Sequence, residues 1–249
     1  MKETRILMGM PVTVAIADAS ATHDTLEKVF AYLAAVDERF STYKSTSEIS
    51  RINSGEISEK DYSREMREIF ALAEKTKQET NGYFDITKPE GSRDPSGVVK
   101  GWAIARAAEL LTKDGYTNFY VDAGGDIQSR GVNEQGEAWS VGIRNPFNHD
   151  EIVKVVYPRG AGVATSGTYI RGQHIYNPHA PKEKLGDVVS LTVIGPNVLE
   201  ADRFATGAFA MGKEGINFVE QLPGFEGYAI DRSGMATMTS GFNRYTQSL

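Results

Sequence analysis

Two different periods of apolar residues divide this chain, and the division constrains its fold more than any other feature. In the first half, apolar residues recur at steps of three and four, which predicts helices near residues 24–40, 63–80 and 99–113. Short apolar runs bounded by Gly, Asn and Asp dominate residues 118–194 and predict six strands there. Because helices and strands do not alternate strictly, an α+β fold is favoured over a doubly wound sheet.

Smaller elements complete this prediction. Residues 4–17 are predicted to form one strand with a bend at Met10. Asp24, followed three residues later by Glu27, is the predicted N-cap of the first helix. The polar residues 41–53 are predicted to be irregular, and another helix is predicted at residues 200–211.

Composition narrows the classes of function. The formal net charge is −6 and no basic run is present, so a nucleic-acid partner is not expected. With no cysteine, the chain has no disulfides, thiolate metal sites, cysteine nucleophiles or lipid-anchored cysteine. No apolar run is long enough for a membrane span, and Glu3 and Arg5 argue against a signal peptide, so no membrane anchor and a cytoplasmic location are expected.

Residues 163–178 carry an unusual mixture of polar side chains. Thr165, Ser166, Gly167 and Arg171 offer hydroxyls, a permissive backbone and a guanidinium, which suit oxyanion binding. His174, in the same segment, is the histidine to which we assign a role, as a proton acceptor near neutral pH. A polar surface hairpin with a structural histidine is the alternative interpretation of this pattern.

Two glycine-containing turns are further candidates. Lys100, with the predicted start of a helix and nearby glycines, forms a possible anion site, although an ordinary helix start with a solvated lysine has the same pattern. Gly124 and Gly125 separate two predicted strands. They allow either close packing against a flat ligand or a plain hairpin turn.

Asp202 and Thr206 are four residues apart in a predicted helix and therefore share one face. A carboxylate and a hydroxyl placed together suit Mg²⁺, which prefers oxygen ligands and retains waters or substrate phosphates. The alternative is that Asp202 acts locally, as a cap or as a partner of Arg203.

Taken in order, these elements resemble the ApbE-like FAD:protein FMN transferases. The resemblance covers nearly the whole chain, and each motif is weak alone, whereas eight in the same order are specific. They are residues 8–12 (MGMPV), 40–53 (FSTYKSTSEISRIN), 82–87 (GYFDIT), 96–103 (SGVVKGWA), 122–126 (DAGGD), 164–167 (ATSG), 174–178 (HIYNP) and 201–206 (ADRFAT).

The resemblance implies a fold and a reaction. It implies a single flavin transferase domain over residues 1–249, α+β with mainly antiparallel sheets and packed helices, with T-fold-like halves and FAD between them. FAD would bind with Mg²⁺, a Ser or Thr hydroxyl of a target protein would attack the FMN phosphorus, and AMP would leave. Some members of the family mainly hydrolyse FAD to FMN and AMP.

The resemblance also implies roles for individual residues. His174 would be the general base, and Asp202, Thr206 and the carbonyl of Val99 would hold Mg²⁺. The expected FAD-binding residues are Met8, Gly9, Ser41, Tyr43, Asn53, Asp85, Lys100, Gly124, Gly125, Thr165, Ser166, Gly167 and Arg171.

The chain departs from the family pattern at two places. Asn177 stands where the family usually has Asp, which removes a charge that would orient a neighbouring group. The segment between Thr87 and Asp94 is shorter than usual, which predicts a more open pocket or a different grip on the adenosine end. These departures keep open the alternative of a flavin-binding protein without catalysis. An FAD pyrophosphatase is a second alternative, because the sequence does not show whether water or a protein is the acceptor.

Overall fold

The computed structural model describes residues 1–167, 175–183 and 185–247. Among these residues, no helix combines the length and the apolar character needed to cross a bilayer. The α-helices are α1 (His23–Phe40), α2 (Glu48–Asn53), α3 (Arg64–Glu79), α4 (Ser96–Lys113), α5 (Val198–Ala210) and α6 (Glu214–Glu220). The strands are β1 (Lys2–Leu7), β2 (Met10–Ile16), β3 (Phe119–Ala123), β4 (Asp126–Arg130), β5 (Val141–Asn145), β6 (Asn148–Val156), β7 (Gly162–Gly167), β8 (Val188–Gly195), β9 (Glu226–Asp231) and β10 (Ala236–Met238).

Eight of these strands form one sheet in the order β1-β2-β3-β4-β7-β8-β9-β10. Every neighbouring pair in it is antiparallel. The remaining strands, β5 and β6, pair with each other as a separate antiparallel hairpin. The predicted α+β class with mainly antiparallel sheets is confirmed.

The N-terminal segment is a hairpin, so the prediction of one bent strand is wrong. β1 and β2 pair from Lys2 opposite Ala15 to Leu7 opposite Met10. Met8 and Gly9 form the turn with φ of 52° and 71°, in the left-handed region that favours glycine. The turn contains one glycine and one methionine, so its sequence carries a weak turn signal.

Helix boundaries also differ from the prediction. Thr22, and not Asp24, caps α1, because its hydroxyl accepts a hydrogen bond from the Thr25 N–H. Residues predicted as irregular contain α2, which is capped in the same way by Ser47. α4 begins at Ser96, three residues before the predicted start, which brings two glycines into its first turns.

The helices α4 and α5 lie side by side on one face of the large sheet, and this arrangement positions the candidate site. α4 packs with α1 on the first strands, through buried residues such as Val14, Leu33 and Ile104. α5 packs on the strands β7 and β8, and α6 packs on β9. The two helices meet above β4, where Gln128 Oε1 accepts a hydrogen bond of 2.9 Å from the Val198 N–H.

Candidate functional site

Glycines allow α4 and α5 to approach closely at the candidate site. A Cβ atom at Gly101 would lie 2.7 Å from Asp202 Cβ and 2.9 Å from the Val198 carbonyl oxygen. A Cβ atom at Gly97 would lie 3.1 Å from Thr206 Cγ2. The two glycines are four residues apart on α4, and Asp202 and Thr206 are four residues apart on α5. The two glycines of α4 therefore face the carboxylate and the hydroxyl of α5.

Asp202 is buried, and its contacts are with other elements of the fold. Its Oδ2 accepts a hydrogen bond of 2.7 Å from the Gly101 N–H, and its Oδ1 lies 3.7 Å from Lys100 Nζ. Lys100 Nζ also lies 2.6 Å from Asp126 Oδ2. Asp126 Oδ1 in turn accepts a hydrogen bond of 3.0 Å from the Thr165 N–H. A lysine, two carboxylates and β7 are thereby held together.

These contacts decide between the alternatives left open above. Asp202 neither caps α5 nor pairs with its neighbour, because Asn197 is the cap and Arg203 binds Glu79 and Glu200. The Lys100 side chain is 15% exposed and ion-paired, so the solvated-lysine interpretation is wrong. Gly124 and Gly125 do form the turn between β3 and β4.

Burial dominates the electrostatics of the cluster. Burial raises the pKa of Asp202 to about 7. The ammonium of Lys100 lowers this pKa, and the nearby carboxylate of Asp126 raises it. Burial also raises the pKa of Asp122, on the adjacent strand β3, although the Gly125 N–H partly offsets this effect. A buried site with this excess of carboxylates favours an additional positive charge.

The residues present fit a hard divalent cation. Asp126 and Asp202 bring two carboxylates against one lysine, which leaves one negative charge uncompensated when both are ionised. Thr206 supplies a hydroxyl one helical turn beyond Asp202. Oxygen donors with excess negative charge are the ligands that Mg²⁺ prefers.

The cluster opens onto a cleft of about 960 Å³, including space open to solvent. Residues predicted from the sequence come from five separate parts of the chain and meet there. Those lining this cleft, hereafter the main cleft, are Asp85, Lys100, Gly124, Thr165, Ser166, Gly167, Asp202 and Thr206.

A second, more apolar cleft adjoins the main cleft and shares Asp94, Ser96 and Lys100 with it. Tyr43, on its wall, is 98% exposed, so its ring is available for a flat ligand. This second cleft is hereafter the side cleft. The predicted residues that line it are Met8, Gly9, Ser41, Tyr43, Val99 and Lys100.

Two predicted residues, Asn53 and Gly125, line neither cleft, and two others are not among the described residues. The Asn53 amide donates to the Arg93 carbonyl at 2.9 Å and accepts from the Arg93 N–H at 2.8 Å, so it braces the backbone at residue 93. The Gly125 N–H donates to Asp122 Oδ1 at 2.8 Å and stabilises the β3–β4 turn. Arg171 and His174 lie outside the described residues.

The short segment between Thr87 and Asp94 forms a closed turn beside the main cleft. The Lys88 N–H donates to the Ser92 carbonyl at 2.8 Å, and the Asp94 N–H donates to the Ile86 carbonyl at 2.7 Å. Lys88 Nζ lies 3.0 Å from Asp94 Oδ2, which places an ion pair at the cleft. The segment is therefore a compact turn, and its predicted effect on the openness of the pocket stays a prediction.

Sequence reasoning omitted three charged residues of this region. Lys88 and Asp94 line the main cleft, and Asp126 anchors Lys100 behind it. Asp126 ends a motif that the resemblance includes, and a carboxylate directly after a Gly-Gly turn was the available signal. Lys88 and Asp94 stand in a polar loop, where no spacing distinguishes them from solvated surface residues.

Known proteins resemble this chain over most of its length. A model of the ApbE family matches residues 8–90 and 88–229, which include every described residue that lines the two clefts. An FAD:protein FMN transferase of Escherichia coli (strain K12) is 27% identical, over 87% of this chain and 79% of the relative. Another, of Haemophilus influenzae, is 24% identical over 99% of this chain and 93% of the relative. The solved flavin transferase ApbE from Vibrio cholerae has the same fold, with a TM-score of 0.85 at 22% identity over 98% of both chains.

Proposed function

This chain belongs to the ApbE family, and we propose that, as an FAD:protein FMN transferase, it moves FMN from FAD to a Ser or Thr hydroxyl of an acceptor protein. AMP is the leaving group, and Mg²⁺ is required. Residues 1–249 act as a single flavin transferase domain. The predicted cytoplasmic location stays a prediction.

One observation carries the proposal. Asp202 and Thr206 stand one helical turn apart beside Lys100, at the wall of the cleft that also contains residues 165–167. Phosphoryl transfer depends mainly on positioning and on neutralising negative charge, and this cluster provides fixed groups for both. The side cleft, with the exposed ring of Tyr43, suits the flat flavin ring.

Each group in the cluster has a distinct part. Asp202 and Thr206 would hold Mg²⁺, together with the Val99 carbonyl by family analogy. When bound, Mg²⁺ supplies charge that polarises the diphosphate of FAD. Lys100 is held at 2.6 Å by Asp126 and presents a fixed ammonium to phosphate oxygens.

The chain also has to accept a proton from the attacking hydroxyl. We assign this role to His174, and we assign oxyanion binding to Arg171, both by family analogy. A positioned base is typically worth about 10²–10⁴ in rate. These two residues lie outside the described residues, so their roles depend on the family resemblance and on the chemistry of their side chains.

The test is incubation of the protein with FAD, Mg²⁺ and a candidate acceptor, followed by intact-mass analysis and chromatography for AMP. We expect an FMN-sized mass increase on the acceptor and one AMP per transfer. FMN released as readily in the absence of acceptor would instead identify an FAD pyrophosphatase. FAD that stays intact with Mg²⁺ for hours would contradict both activities.

Substitutions of Asp202 and Thr206 test whether these residues bind the Mg²⁺ required for transfer. Asp202→Ala is expected to abolish metal-dependent transfer, and Thr206→Ala to weaken it, while Thr206→Ser keeps the hydroxyl and most of the rate. Thr237, exposed on β10, provides the matched control, because Thr237→Ala leaves the cleft unchanged. Unchanged Mg²⁺ dependence in Asp202→Ala would remove that residue from the metal site.

A further inference from the structure

One wall of the main cleft is formed by the segment that directly follows His174. Ile175, Tyr176 and Pro178 line the cleft on this side. Ile175 also packs against the apolar cluster beneath α5. The position of this wall therefore affects the shape of the cleft that Asp202 also lines.

His179 anchors the far end of this segment to the end of α3. Its Nε2 lies 2.9 Å from the Asn81 carbonyl oxygen. Because a carbonyl only accepts, Nε2 must carry the hydrogen in this contact. The His179 ring also stands edge-on to the Tyr83 ring, with centroids 4.6 Å apart and an interplanar angle of 72°.

The sequence Asn81-Gly82 builds the seat for this histidine. Both residues have left-handed backbone, with φ of 51° and 81°. The Gly82 N–H donates to the Lys77 carbonyl at 2.7 Å, as in a Schellman cap, so the chain turns away from the helix at this point. A Cβ atom at Gly82 would lie 3.2 Å from His179 Cε1, so glycine also leaves room for the ring.

The seat is rigidly joined to the helix that carries Asp202 and Thr206. Thr80 is buried, and its hydroxyl donates to the Thr76 carbonyl at 2.8 Å and accepts from the Phe84 N–H at 3.0 Å. A Cβ atom at Gly207 of α5 would lie 2.7 Å from Thr80 Cγ2. The end of α3 and α5 are therefore in close contact, and an anchor on one has a defined position relative to the other.

Two further contacts shape the segment between its ends. The Tyr176 hydroxyl donates to the Thr87 carbonyl at 3.3 Å, which joins the segment to the chain between the cleft-lining residues Ile86 and Lys88. Asn177 Oδ1 accepts a hydrogen bond of 2.9 Å from the His179 N–H. This hydrogen bond needs an oxygen acceptor but no charge, so Asn177 can form it where the family usually has aspartate.

We propose that His179 is a positioning residue: by binding the Asn81 carbonyl and the Tyr83 ring, it holds residues 175–178 as the wall of the FAD cleft. The inference rests on the proposed function, since it assigns this wall to FAD. Loss of the anchor weakens FAD binding more than it slows the chemical step.

The test compares three variants of the full chain. His179→Ala removes the anchor, His179→Gln keeps an N–H donor at a similar reach, and His23→Ala controls for loss of a histidine that is 69% exposed on α1. KM for FAD and kcat are measured with Mg²⁺ and acceptor. Amide hydrogen exchange of residues 175–180 is measured without FAD, and thermal unfolding monitors the fold.

His179→Ala should raise KM for FAD by about three- to tenfold, the range expected of one hydrogen bond, with kcat within about twofold. Exchange of the His179 and Ala180 amides, both bonded to Asn177, should become faster. His179→Gln should restore most of both properties, and His23→Ala should alter neither.

Unchanged KM together with unchanged exchange in His179→Ala would overturn the proposal, as would a loss that Gln does not restore. If the wild-type chain neither binds nor cleaves FAD, the proposed function fails instead. The exchange measurement, which needs no FAD, then still decides whether His179 holds the segment.

Discussion

Asp202→Asn is expected to stabilise the metal-free protein at neutral and alkaline pH while abolishing Mg²⁺-dependent transfer. Burial raises the pKa of Asp202 to about 7 from an unperturbed value of 3.8. Between these values the unfolded chain is ionised at this residue while the folded chain retains the proton. Folding stability contributed by Asp202 therefore falls as pH rises through this window, and the penalty is complete above about pH 7.

The structure gives the magnitude of this effect. One pKa unit corresponds to about 1.4 kcal/mol, so the full penalty of a shift from 3.8 to about 7 is about 4 kcal/mol. Asparagine carries no charge, and its side-chain oxygen still accepts a hydrogen bond from the Gly101 N–H. Lys100 loses the attraction of the Asp202 carboxylate but keeps its ion pair with Asp126. We therefore expect a gain of about 1–3 kcal/mol at pH 8, since a polar group remains buried.

Urea unfolding with EDTA at pH 8 and at pH 5 measures the gain, which should shrink at the lower pH. Saturating Mg²⁺ should reverse the order, because ligand that binds only the folded state stabilises the wild type. Asp187→Asn is the control, and it should not stabilise the protein at pH 8. The hydrogen bond from Lys213 lowers the pKa of this exposed carboxyl, so its ionised form favours the folded state. A metal-free Asp202→Asn protein that is less stable than wild type at pH 8 would refute the reasoning.

Three further predictions concern the same region. Because protons compete with the cation for Asp202, Mg²⁺ affinity measured by calorimetry should fall about tenfold for each pH unit below about 7, and a flat profile from pH 5 to 8 would exclude Asp202 as a ligand. Gly101→Ala should cost about 1–3 kcal/mol in urea unfolding, because its Cβ would lie 2.7 Å from Asp202 Cβ, whereas Gly186→Ala, with no atom within 4 Å, should be neutral. Tyr43→Ala should leave stability within about 0.5 kcal/mol, because the side chain is 98% exposed, yet weaken FAD binding measured by flavin fluorescence; unchanged binding would remove Tyr43 from the flavin site.

Elements with strong periodicity were predictable from the sequence. The stripe of Leu26, Val29 and Leu33 predicts the buried face of α1, and short apolar runs bounded by turn residues predict most strands of the large sheet. The first hairpin was missed because its turn contains Met8, which has φ of 52° and gives no turn signal. α2 was missed because its six residues are too short for a visible apolar stripe.

The candidate site was predictable where one helix or one turn carries it. The spacing of Asp202 and Thr206 predicts a shared face, and the two residues do line one cleft. The sequence marks Asp126 as a carboxylate after a Gly-Gly turn, but it does not show the partner of that carboxylate, since Lys100 is 26 residues away in the sequence and 2.6 Å away in space. The anchoring of His179 on Asn81 likewise joins segments 98 residues apart.

The glycine contact between α4 and α5 links chemistry to the completion of the polypeptide. The Gly101 N–H and the Asp202 carboxylate that it binds are separated by 101 residues. A nascent chain that has not yet reached residue 202 contains the α4 sequence but lacks the carboxylate that binds it. Such a chain cannot form the proposed cation site, so the proposed mechanism requires α5 to be synthesised and packed against α4.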